Sequence, residues 1–107
     1  MLQLVTIETF VPETHAEKVR LAMGKAGAGK LGNYSHCSFS VKGFGRYRPE
    51  KGAKPAIGTI GKLEKVREER ITMVCEKRLL KRVVLAIKKA HPYEEVPVYV
   101  YAVESSE

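Results

Sequence analysis

The feature that most constrains this chain is the order in which its hydrophobic periods change. Apolar residues recur at strand spacing, then helix spacing, then strand spacing twice, then helix spacing, then strand spacing again. Leu2 to Val11 carries Leu4, Val5, Ile7, Phe10 and Val11 and stops at Pro12, as a strand does. Thr14, with Glu17 three residues on, has capping-box spacing. Ala16, Val19, Met23 and Ala26 then follow one face of a helix, with Glu17, Lys18, Arg20 and Lys25 turned outward. Gly27, Gly29 and Gly32 end that helix. Tyr34 to Val41 reads as a second strand. Val66 to Cys75 alternates, with Ile71, Met73 and Cys75 on one side, and reads as a third. Lys77 to Ala90 is the clearest helix: Leu80, Val83, Val84, Ile87 and Ala90 form its stripe, and Pro92 marks its end. Val96 to Val103 is the last strand.

The order β-α-β-β-α-β predicts an α+β, ferredoxin-like sandwich: a four-stranded antiparallel sheet with two helices on one face. A single domain over 1–107 is expected from the length. The last strand adds a constraint. Val96, Val98, Val100 and Ala102 lie on one side, and Tyr99, Tyr101 and Val103 on the other. A two-layer sandwich needs only one apolar face. A second one calls for a cover, and another copy of the chain is the simplest.

Composition narrows the setting. No apolar run approaches the ~20 residues of a membrane span. The start, Met1-Leu2-Gln3-Leu4, has no basic leader or cleavage pattern. Two cysteines, Cys37 and Cys75, are too few for a disulfide scaffold, so a reduced, cytoplasmic protein is expected. The net charge of +7 suits an anionic partner, or simply a lysine-rich surface.

Between Gly43 and Gly61 the periodicity breaks, with five of the nine glycines and with Pro49 and Pro55. Long irregular connections in small domains are often functional. Arg46, Tyr47, Arg48, Lys51 and Lys54 offer a ring for stacking and charges for a phosphate or carboxylate, and are the candidate ligand residues. A loop clasping a neighbouring subunit is the competing explanation. His36, Cys37 and His91 are candidate ligands for a divalent metal, copper or zinc, although no pair has zinc-motif spacing.

Three other patterns carry less. Gly24 to Leu31 imitates a phosphate-binding loop, but a helix precedes it and Leu31 stands where a hydroxyl should. Lys42-Gly43-Phe44-Gly45 matches half of an RNA-recognition signature, and Arg46 and Pro49 then break it; nucleic acid is not the expected partner. Glu68, Glu69, Glu94 and Glu95 lack a nucleophile, and neighbours on a strand diverge, so ion pairs with Arg67, Arg70 or lysines are expected. No residues promise catalytic convergence.

Ala90-His91-Pro92-Tyr93-Glu94-Glu95-Val96-Pro97 resembles the segment leading into the late strand of CutA-like proteins. Gly32 to Phe39, and Gly45-Arg46-Tyr47-Arg48-Pro49 with Gly52, Pro55, Gly58 and Gly61, sharpen the likeness. Together they resemble the PII/CutA-like domain inserted in NIF-three-like (YqfO-like) dinuclear-metal proteins, here as a stand-alone chain. The resemblance implies a PII/CutA-like fold, a homotrimer, and a regulatory or ligand-binding role for the 43–61 stretch. It carries over no metal ligands, because those of the larger proteins lie in flanking domains.

Overall fold

Strict alternation on two strands places the core. Val5, Ile7 and Val11 on the first strand point one way, and Ile71, Met73 and Cys75 on the third point to meet them. The computed structural model describes residues 3–104, so Leu2 lies outside the described residues. Its elements are β1 (Leu4–Pro12), α1 (Ala16–Lys25), β2 (Phe39–Tyr47), β3 (Glu64–Glu76), α2 (Leu80–Ala90) and β4 (Val98–Val103). A 3-10 turn, Lys77–Leu79, leads into α2. The strands form one antiparallel sheet in the order β2-β3-β1-β4. The expected ferredoxin-like arrangement is therefore the one observed.

Both helices cover the same sheet face. Ala16, Val19 and Met23 of α1 and Val83, Ile87 and Ala90 of α2 join the buried cluster. Each fully buried aliphatic side chain contributes about 1.5–3 kcal/mol. Thr9 is the polar member of the layer, and its hydroxyl donates to the Pro97 carbonyl at 2.8 Å, so its burial leaves nothing unpaired. The helix stop at the glycines is a Schellman motif: Ala28 N–H bonds the Met23 carbonyl and Gly27 N–H the Gly24 carbonyl.

Four sequence expectations need correction. β2 begins at Phe39, not Tyr34, because His36 takes a left-handed φ of 60° and Cys37 N–H bonds the Gly29 carbonyl. It continues to Tyr47, so Gly43, Gly45, Arg46 and Tyr47 belong to the strand and the irregular connection is 48–63. Pairing with β3 along all of β2 outweighs the ~0.5–1 kcal/mol that each glycine costs a strand. The capping box does not form: α1 starts at Ala16, and the Thr14 hydroxyl lies 2.9 Å from Nδ1 of His15. Arg20 does not turn to solvent. It donates to Glu69 at 2.8 Å and to the Ser40 hydroxyl at 3.0 Å, fastening α1 to β3 and β2.

The last strand is an edge strand. Val98, Val100 and Ala102 sit opposite Thr9, Ile7 and Val5, on the helix side; Tyr99 and Tyr101 occupy the other. Val100 keeps 41% of its surface exposed, Tyr99 54% and Tyr101 52%. Beyond Val98, which packs against the core, the strand is thus apolar and largely uncovered on both faces.

Candidate functional site

The open face of the sheet forms a hollow of about 850 Å3. The 48–63 connection and the segment after α2, with Tyr93 and Glu94, form its walls. Backbone atoms fasten the connection. Tyr47 donates its hydroxyl to the Ile57 carbonyl at 2.5 Å, Gly61 N–H bonds the Pro49 carbonyl at 2.8 Å, and Lys54 N–H bonds Oε1 of Glu94 at 2.6 Å.

Glu68 lies at the centre. Strand alternation sends it to the open face and sends Glu69 under the helices, where Arg20 meets it. Glu68 is 8% exposed, and Tyr93 donates its hydroxyl to Oε2 at 2.6 Å. Gly45 makes this possible, because a Cβ there would collide with the Glu68 carboxylate. The ring of Tyr47 packs edge-on against that of Tyr93, with centroids 5.8 Å apart. Burial pushes the Tyr93 phenol far up, and its bond to Glu68 adds to the effect; burial also raises Tyr47. Both hydroxyls therefore stay protonated donors. The partners foreseen for the acids do not form: Glu68 takes Tyr93, Glu69 takes Arg20, and Glu94 takes the Lys54 backbone.

The candidate ligand residues divide. Arg46, Tyr47 and Arg48 border the hollow; Arg46 shares the helix-side register of Phe44 near the end of the edge strand, and Arg48 is paired to Glu50 at 2.9 Å. Lys51 and Lys54 are exposed on the connection and do not line it. Glu68, Tyr93, Arg70 and Tyr99 line it without having been singled out as ligand residues. No pattern in the sequence marks Glu68, because its approach to Gly45 and its bond to Tyr93 depend on strand register and on the chain reversal after α2.

The metal candidates are set apart in kind. His91 is buried; its Nε2 lies 2.7 Å from the Phe10 carbonyl, and its Nδ1 accepts from Tyr93 N–H at 3.1 Å. That pair fixes a neutral ring protonated at Nε2, with both nitrogens engaged. Desolvation lowers its pKa, which favours the neutral ring. His36 lays its ring against Gly24, with Nδ1 2.9 Å from the Ser35 hydroxyl, and Cys37 Sγ lies 3.9 Å from the Ser35 carbonyl. Among the described residues no group of three or more His, Cys, Asp or Glu converges as a metal site. Phe44 takes a different place from an RNA-stacking platform. It sits on an edge strand, on the side bearing the helices, with Lys65 Nζ 4.3 Å from its ring centroid. Among the described residues no helix is long and apolar enough to cross a membrane.

Comparison with known proteins agrees with this architecture. No family model matches the chain. It is 48% identical over 103 residues to the GTP cyclohydrolase 1 type 2 homolog of Bacillus subtilis, a match covering 96% of this chain and 28% of that protein. The crystal structure of a Bacillus cereus protein related to NIF3 superposes with a TM-score of 0.85 and 44% identity, over 97% of this chain and 26% of that one. CutA1 from Oryza sativa superposes with a TM-score of 0.71 at 15% identity, over 99% of this chain and 84% of that one. GlnK from B. subtilis superposes with a TM-score of 0.60 at 16% identity, over 94% and 85%. The last two show the fold alone. The chain spans about a quarter of the length of the curated relatives it matches. Over nearly its whole length, then, this chain resembles a PII/CutA-like segment of the NIF3-related proteins.

Proposed function

We propose that the chain is a non-catalytic, regulatory PII/CutA-like module, a homotrimer that takes a small anionic ligand of the nucleotide class beneath its 48–63 connection. The observation that supports it is the open sheet face. Phe39 (68% exposed), Tyr99, Tyr101, Val41 and Val74 leave it apolar and uncovered around a hollow that holds cationic and aromatic side chains. A second and third copy cover the apolar part, and Arg48, with Arg46 beside it near the end of the edge strand, takes the anion. One fold neighbour was solved as a GlnK–ATP complex, which names the first ligand to try. The relatives' name refers to a cyclohydrolase; on our reading any such chemistry belongs to the length that this chain does not span. The module works as a single domain in the cytoplasm, where its two free cysteines stay reduced.

Native mass spectrometry of the purified protein tests the assembly, with a trimer expected. Thermal-shift titration with ATP, GTP and inorganic phosphate tests the ligand. A ligand at 100 times its Kd adds about 2.7 kcal/mol to stability. The shift should vanish in Arg46→Ala with Arg48→Ala. A monomeric protein sinks the assembly; no shift with any of the three, or one the double variant leaves intact, sinks the ligand reading.

A further inference from the structure

The two helices carry a repeat that the open-face site does not use. Lys18-Val19-Arg20-Leu21-Ala22-Met23-Gly24-Lys25-Ala26 on and just after α1 is mirrored by Arg82-Val83-Val84-Leu85-Ala86-Ile87-Lys88-Lys89-Ala90 on α2. Valine, leucine, alanine, lysine and alanine recur in place, with Lys18 matched by Arg82 and Met23 by Ile87. The buried members, Val19, Met23, Val83 and Ile87, serve the common core. Ala26 and Ala90 are buried in it too, and Ala22 and Ala86 pack against it, so what the core leaves unexplained is the cations and the two leucines.

Ala22, Ala26, Ala86 and Ala90 line a groove between the helices, and Lys18, Lys25, Arg82 and Lys89 rim it. β1 and β2 both run opposite to β3, and β3 and β4 both opposite to β1, so the crossover helices are antiparallel. The matched residues are therefore related by an approximate local two-fold axis perpendicular to the groove. Leu21 and Leu85, 55% and 66% exposed, stand at equivalent places beside the rims. Among the described residues none of the four cations has an ion-pair partner, and Glu17, the one acid of either helix, is held by Arg20.

These features select an occupant. Four like charges repel a second copy of the same surface. A phosphate backbone gains nothing from an alanine floor, and a bilayer does not follow a groove. Small side chains let another helix come close, as they do at tight helix–helix contacts. We propose that the α1–α2 groove docks an acidic amphipathic helix of another protein. Its carboxylates meet the four cations, its small apolar stripe lies along the half-buried Ala22 and Ala86, and Leu21 and Leu85 widen the apolar contact.

The test uses the full chain and a fluorescent helical peptide of about 18 residues, five turns. The peptide carries alanine and leucine on one face and glutamate on both flanks. Fluorescence anisotropy should show saturable binding that weakens at least tenfold, or about 1.4 kcal/mol, in Arg82→Glu with Lys89→Glu and in Lys18→Glu with Lys25→Glu. Binding should also weaken as ionic strength rises from about 0.1 M to about 1 M. Leu21→Ser with Leu85→Ser should weaken it too, and circular dichroism should show each variant folded. No saturable binding, equal binding of a polyglutamate of the same charge, or charge reversals without effect overturns the proposal. So does tighter binding to phosphatidylglycerol vesicles or to duplex RNA than to the peptide.

Discussion

His91 shows how much one buried ring can hold. It ties the Phe10 carbonyl of β1 to the Tyr93 amide, and Tyr93 then reaches Glu68. Desolvation keeps its folded pKa below the ordinary 6.5. The unfolded chain therefore binds the extra proton first, and stability falls as pH drops below about 6.5 toward the depressed folded value. Urea denaturation should show a larger loss between about pH 7 and about pH 5 in the native sequence than in His91→Ala. The variant itself should be about 1–3 kcal/mol less stable at neutral pH, since it orphans a buried carbonyl. Gly45 poses the opposite constraint. Gly45→Ala forces a methyl group toward the Glu68 carboxylate and should cost about 1–3 kcal/mol. Adding Glu68→Ala should recover part of that loss in a thermal melt.

At the scale of the element, regular periods read well and local backbone events did not. α2 and the buried faces of β1 and β3 were legible because each has a long apolar period that one partner layer satisfies. β2 was misplaced by five residues at its start because its boundary is set by His36 in a left-handed turn and by a bond to Gly29, neither of which has a hydrophobic pattern. The hollow was half legible. Arg46, Tyr47 and Arg48 announce themselves by type, whereas Glu68 and Tyr93 meet only through strand register and a chain reversal. Helix termination can be tested at one glycine. Gly27 has φ 113°, and a Cβ would lie 2.9 Å from Cδ1 of Leu79. Gly27→Ala should therefore cost about 1 kcal/mol or more by chemical denaturation, chiefly through the end of α1.

Across the whole molecule, the uncovered sheet face and the cationic helix face point in opposite directions. Assembly on the first leaves the second free for a different partner. Val74 is 42% exposed on the open face, on a central strand. Val74→Arg should lower the trimer fraction in native mass spectrometry while leaving the circular dichroism of the fold unchanged. The lid over the hollow has a further consequence, for how such sequences drift. Its fastenings use the amide of Lys54, the carbonyl of Ile57 and the amide of Gly61. Every residue supplies a carbonyl, and all but proline supply an amide. Positions 54 and 57 can thus change chemistry over generations without unlatching the lid, while Gly45 and Tyr93 are held to their identities. In a saturation library scored by folding, the roof should be permissive at 54 and 57 and fixed only at Gly52, Gly58 and Gly61, whose φ values of 97°, 111° and 82° favour glycine.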